Sequence, residues 1–197
     1  MGRSSYISNS LKCAGPMEKM WEFSLFDWSK KGADGLPLDV QYVAKLIFSK
    51  TPKEARDAFF IVNEAVGQNG GLFPCALTVL RTVLASLSIC DRSAKLECLE
   101  LVANIAASDS AYAGESVAED CLTEIRNAFW IFASGIQFDD PALIGSYADI
   151  LGCVGTYIPS LNSISRVYLQ LALTRDIQQC DLDLIKNTIL DLEKRST

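Results

Sequence analysis

Thr51-Pro52-Lys53-Glu54-Ala55-Arg56-Asp57-Ala58-Phe59-Phe60-Ile61-Val62-Asn63-Glu64-Ala65-Val66-Gly67 is the stretch that decides the fold class. Ala55, Ala58, Phe59, Val62 and Val66 recur at the 3.6-residue period of a helix with one buried face. Thr51 can accept from the free N–H groups of the first turn, and Glu54 can reach back to it. Pro52 stands at the first helical position, where its missing N–H costs nothing. The helix stops at Gly67, and Gly67-Gln68-Asn69-Gly70-Gly71 reads as a helix-to-helix turn.

The same signature repeats in both directions. Val40, Val43, Ala44 and Ile47 predict a short helix upstream. Downstream, Leu77, Leu80, Val83, Leu84 and Leu87 mark a helix from about Phe73, with Pro74 in its first turn. Leu96, Leu99, Val102, Ala103 and Ala106 form the next stripe. Val117, Cys121, Ile125, Ala128 and Phe132 then predict one long helix from Glu115 to about Ser134. Asp139-Asp140-Pro141 combines a capping Asp with a first-turn Pro and starts a helix lined by Leu143, Tyr147, Ile150, Leu151 and Val154. Ile164, Val167, Tyr168 and Leu171 mark another, and Leu182, Ile185, Ile189 and Leu192 the last. No hairpin turn between alternating segments is expected, so the class is all-α.

Helix starts near 53, 93 and 139, with others near 72, 115 and 161, give a pair register of about 40–46 residues. This falls within the roughly 40–47 residues of HEAT and armadillo units, whose helix pairs bury their apolar faces by stacking. The expectation is one domain: an α-solenoid of antiparallel helix pairs over residues 37–197, with residues 1–36 as a capping segment. Within that segment Met17, Met20, Trp21, Phe23, Leu25, Phe26 and Trp28 precede the polar loop Lys30-Lys31-Gly32-Ala33-Asp34-Gly35.

Composition narrows the function. The chain has 197 residues, is 49% apolar and 21% charged, and carries a net charge of -6. Nucleic-acid binders neutralise phosphates with clustered Lys and Arg, so no nucleic-acid partner is expected. The start, Met1-Gly2-Arg3-Ser4-Ser5-Tyr6, has no apolar run of signal-peptide length. No apolar stretch reaches about 18 residues, so no membrane span is expected and the reading is cytoplasmic. The seven cysteines are scattered without a Cys-x-x-Cys and read as buried thiols. Histidine is absent altogether, which removes the commonest general base and metal ligand. A non-enzyme without cofactor or metal is expected.

The run from Ala55 to Leu84, then Lys95 to Ala106, Val117 to Ile125 and Asp139 to Gly155, resembles bacterial HEAT-like helical repeat proteins. It is similar to immunity proteins of polymorphic-toxin and secretion systems, over about residues 50–175. The resemblance implies a protein that neutralises a cognate toxin by direct binding. The pattern departs at Gly145-Ser146, where that helix usually carries an Arg or Lys.

Trp130 is the first candidate for partner contact, since it falls opposite the Val117–Cys121–Ile125 stripe and Trp dominates interface energetics. Packing against a neighbouring repeat would explain it equally. Arg126, one turn earlier, can stack on it. Glu119, Asp120, Asp139 and Asp140 are acidic candidates that would mimic phosphates toward a basic toxin. Their structural alternative is helix capping and complementing the helix dipole. A general scaffold solenoid and a carboxylate-dependent enzyme in a helical bundle are the other function classes in play.

Overall fold

The computed structural model describes residues 22–108, 110–111 and 116–195. Cys13, Met17, Met20, Trp21 and Glu115 lie outside them. The described chain is mostly helical. Its helices are α1 (Glu22–Leu25), α2 (Val40–Phe48), α3 (Pro52–Val66), α4 (Ala76–Ser86), α5 (Arg92–Ala106) and α6 (Ser116–Asn127), followed by α7 (Phe129–Phe138), α8 (Ile144–Tyr157), α9 (Asn162–Ala172) and α10 (Gln179–Lys194).

Local chemistry sets the starts. Thr51 accepts from the Glu54 N–H at 3.3 Å, with Pro52 opening α3. Asp39 caps α2 through the Gln41 N–H. Asp140 accepts from Ala142 N–H at 2.9 Å, and a 3-10 turn over Pro141–Leu143 leads into α8. In α3 the buried set is Ala55, Ala58, Phe59, Val62 and Val66, the stripe read from sequence.

The helices pack on one another in sequence and across it. α2 lies on α3, α3 on α5, α5 on α8 and α8 on α10, while α4 lies on α6 and α7 on α9. Polar ties accompany the steps. Lys50 meets Asp91 at 2.6 Å, and Arg56 donates to Glu97 at 2.8 Å and to Glu100 at 2.7 Å. Arg92 reaches Asp140 at 3.2 Å, and Lys95 reaches Asp139 at 3.0 Å. Arg81 pairs with Glu124 between α4 and α6.

Three expectations change. The predicted Glu115–Ser134 helix is two helices, broken at Ala128 (φ -85, ψ 2), where Ile131 N–H turns back to the Ala128 carbonyl. The halves answer to different neighbours: α6 packs on α4 and α5, and α7 on α8 and α9. Second, Gly67-Gln68-Asn69-Gly70-Gly71 is a β-hairpin. β1 (Gly67–Gln68) pairs antiparallel with β2 (Gly71–Leu72), and β3 (Ser110–Ala111) adds in parallel. Asn69 and Gly70 take φ of 50 and 81, the left-handed pair that a two-residue turn matching the strand twist requires. Phe73 N–H donates to the Val66 carbonyl across this hairpin, and α4 begins at Ala76, beyond Pro74.

Third, two stripes are rotated. α5 buries Cys98, Leu101 and Ile105 as well as Leu99 and Val102, because helices surround it, while Leu96 is turned outward. α9 buries Asn162, Ser165, Leu169 and Ala172, which leaves Val167 in solvent.

Ahead of α2, the segment from α1 onward lies against α4 and the far end of α3. Phe23 is buried, and Trp28 Nε1 donates to its carbonyl at 2.8 Å. Thr78 donates to the Asp27 carbonyl, Ala33 N–H to that of Ala65 and Cys75 N–H to that of Lys31.

Candidate protein-binding face

Helix α7, Phe129-Trp130-Ile131-Phe132-Ala133-Ser134-Gly135-Ile136-Gln137-Phe138, contains no ionisable side chain. One face, Phe129, Phe132, Ala133, Gly135 and Ile136, is buried. Close packing fixes that face: a Cβ on Gly135 would lie 2.3 Å from Tyr147 Cζ on α8. The opposite face exposes Trp130, Ile131, Ser134, Gln137 and Phe138, with Trp130 60% and Phe138 82% accessible. A large apolar side chain kept in water forgoes roughly 1.5–3 kcal/mol of burial.

α9 continues this face. It exposes Ser163, Val167 and Gln170, again without charge. Tyr168 joins the two helices, its ring 6.2 Å from Trp130 and 6.1 Å from Phe129, both edge-on. Phe129 meets Trp130 at 5.3 Å and 86°. Such edge-to-face pairs contribute about 0.5–1.5 kcal/mol each, so Trp130 is held in place although exposed.

Three arginines surround the face. Arg126, in the last turn of α6, is exposed and has no ion pair among the described residues. Its expected stacking on Trp130 is not formed; the described cation–π contacts are Lys45 on Tyr42 and Arg56 on Phe59 and Phe60. Arg166 of α9 is half-buried, and its Nε has no partner. Arg175 donates to the carbonyls of Ile136, Gln137 and Asp139 (3.0 Å), closing the C-terminal end of α7.

The acidic candidates part company. Glu119 and Asp120 are exposed on α6 without ion pairs among the described residues. Asp140 caps the turn before α8 and pairs with Arg92. Asp139 accepts from Tyr147 Oη at 2.7 Å, Lys95 Nζ at 3.0 Å and the Asp140 N–H at 2.9 Å. Burial pushes its carboxyl up, but these donors together outweigh burial and hold it below the usual range. Burial and Asp139 push the Tyr147 hydroxyl well up.

Asp149 on α8 is shifted upward by burial, then by Asp181 and Glu100. It does not line the cleft of about 250 Å³ beside the hairpin, whose wall is uncharged: Asn63, Gln68, Asn69, Asn104 and Ser108 over Val66, Leu72 and Ile105. Among the described residues no acidic or cysteine group is arranged to hold a metal. The described cysteines are unpaired. Burial raises the Cys75 and Cys153 thiols to about 11 and that of Cys121 to about 12, so all three stay protonated. No described helix is long and apolar enough to cross a membrane.

The sequence singles out Trp130, which the structure exposes, and does not single out Phe138, Val167 or Tyr168. For Phe138 the signal is there, since no charge occurs from Asn127 to Phe138; for Val167 and Tyr168 the sequence offers none. Comparison of the chain with protein-family models, curated proteins and solved structures finds no match.

Proposed function

We propose that this chain is a non-enzymatic protein-binding module, a short HEAT-like α-solenoid that holds a partner protein against the α7–α9 face. The pairs would be α2 with α3, α4 with α5, α6–α7 with α8, and α9 with α10, and the segment before residue 37 would cap the first of them. In support, side-chain ties between successive pairs span 41 to 44 residues: Arg56 to Glu97 and Glu100, Asn104 to Asn63, Arg81 to Glu124 and Lys95 to Asp139. That is the register of a repeat of roughly 40–47 residues.

The observation that carries the binding reading is Trp130, exposed yet fixed by Phe129 and Tyr168 on an uncharged face. Preset aromatic anchors lose little freedom on association, which is why they dominate interfaces. Following the resemblance to immunity proteins, the partner we infer is a cognate toxin, neutralised by being covered. A carboxylate enzyme would call for a raised acid inside a cleft; Asp149 is instead on the outer side of α8.

Co-purification with the product of the adjacent gene, followed by growth rescue on co-expression, tests this. Binding and rescue that are both lost with Trp130→Ala are expected. Binding without rescue would leave a scaffold; neither binding nor rescue would overturn the immunity reading.

A further inference from the structure

Resting on the reading of α7–α9 as the binding face, we infer that its occupant is a protein segment with an apolar stripe rimmed by carboxylates. The chain has 24 acidic and 18 basic residues, yet neither α7 nor α9 contains an Asp or Glu. The charges that border the face are Arg126, four residues ahead of Trp130, Arg166, beside Val167, and Arg175, at the C-terminal end of α7.

Neighbouring carboxylates are spent or distant, save Asp176, which is exposed directly after Arg175. Glu124 is held by Arg81 and Asp139 by Lys95. Glu119 and Asp120 lie near the start of α6. Arg126 therefore keeps its whole charge, and Arg166 keeps an Nε that is shut off from water with no acceptor. Arg126 is exposed, so an incoming carboxylate can take its guanidinium in a charge-assisted, two-pronged bond, and the half-buried Arg166 adds positive charge along the border of α9. The apolar stripe would cover Trp130, Ile131, Phe138 and Val167, and the acidic rim would fix orientation and speed encounter.

Two designed helical peptides with the same Leu/Phe stripe test this, one flanked by Glu and the other by Lys at the same positions. Fluorescence anisotropy of each labelled peptide against the full chain gives the affinities. The Glu-rimmed peptide is expected to bind at least about tenfold more tightly, with a preference that shrinks in high salt. Arg126→Gln, at an exposed site, and Arg166→Gln should each erode the preference, whereas Arg166→Lys should keep most of it. Trp130→Ala should weaken both peptides alike.

Equal affinity for the two peptides, with both lost in Trp130→Ala, would overturn the acidic rim and leave the binding face standing. Tighter binding of the Lys-rimmed peptide would overturn it in favour of Glu119 and Asp120. Absence of binding by either would overturn the face as well. A dimer in sedimentation that Trp130→Ala dissolves would make a second copy the occupant and overturn the inference.

Discussion

The seam of α3, α5 and α8 and the face of α7 and α9 handle their charged side chains in opposite ways. Along the seam ion pairs tie each step to the next, as Lys50 with Asp91, Arg56 with Glu97 and Glu100, and Lys95 with Asp139. On the face, large apolar groups stand in water beside arginines that have no carboxylate. The contrast separates two uses of a side chain. Groups satisfied inside the chain hold helices in register, while groups left unsatisfied although rigidly held are available to something else.

The strongest way to break this comparison is to cut both sides of α7. Phe132 is fully buried and Trp130 is mostly exposed, two residues away on one helix. Phe132→Ala should cost about 3–5 kcal/mol in urea unfolding through a cavity the core cannot fill. Trp130→Ala should cost no more than about 1–2 kcal/mol, the lost edge-to-face contacts, yet remove partner binding. Equal stability losses would mean that Trp130 is core, and the face would lose its anchor.

Gly135→Ala probes how α7 is seated. Its methyl group would enter the Tyr147 ring, which cannot retreat without giving up its bond to Asp139. Overpacking of this kind costs about 1–3 kcal/mol. A thermal melt would detect it, and near-neutrality would mean that α7 and α8 slide apart easily.

Much of this seam was legible in the sequence and much of the face was not. Capping signals at Thr51-Pro52 and Asp139-Asp140-Pro141 act within a few residues, so they can be read directly. The stripe of α3 was readable because that helix buries one side. α5 and α9 misled for the converse reason. With α5 enclosed by several helices, Cys98 and Leu101 are as buried as Leu99, and the period blurs. In α9, Ser165 and Asn162 go inside while Val167 stays out, an inversion that hydrophobicity cannot reveal. The break at Ala128 is imposed by the different neighbours of α6 and α7, a tertiary effect. The hairpin was readable, since Asn69-Gly70 is a strong local turn signal.

Asp139 offers a pH test of the seam. Its folded-state carboxyl is held below the ordinary value of about 3.9. Its stabilising contribution is therefore present above that ordinary value and disappears as pH falls through the lower folded one. Unfolding free energy of the native chain should drop across this acidic window more steeply than that of Asp139→Asn. At neutral pH the variant should already be about 1–2 kcal/mol less stable, having lost the charge that Lys95 and Tyr147 address. Parallel acid profiles for the two proteins would show that Asp139 is not a stabilising tie.

The smallest effect belongs to the outermost tie. Lys50 and Asp91 approach to 2.6 Å, but their side chains are 72% and 48% exposed. Water screens such a pair, and ordering two mobile side chains offsets most of the attraction, so Lys50→Ala should cost only about 0.2–1 kcal/mol. Added salt should shrink even that. Arg56→Ala should cost more than Lys50→Ala, because its guanidinium also lies 4.8 Å from the centre of the Phe59 ring and 4.6 Å from that of Phe60, and Glu97 beneath it is almost fully enclosed. Stripping Arg56 leaves that carboxylate without its cation, whereas stripping Lys50 leaves Asp91 in water. If the two substitutions cost the same, proximity alone governs the seam and enclosure adds nothing; a clear gap between them makes enclosure the deciding quantity.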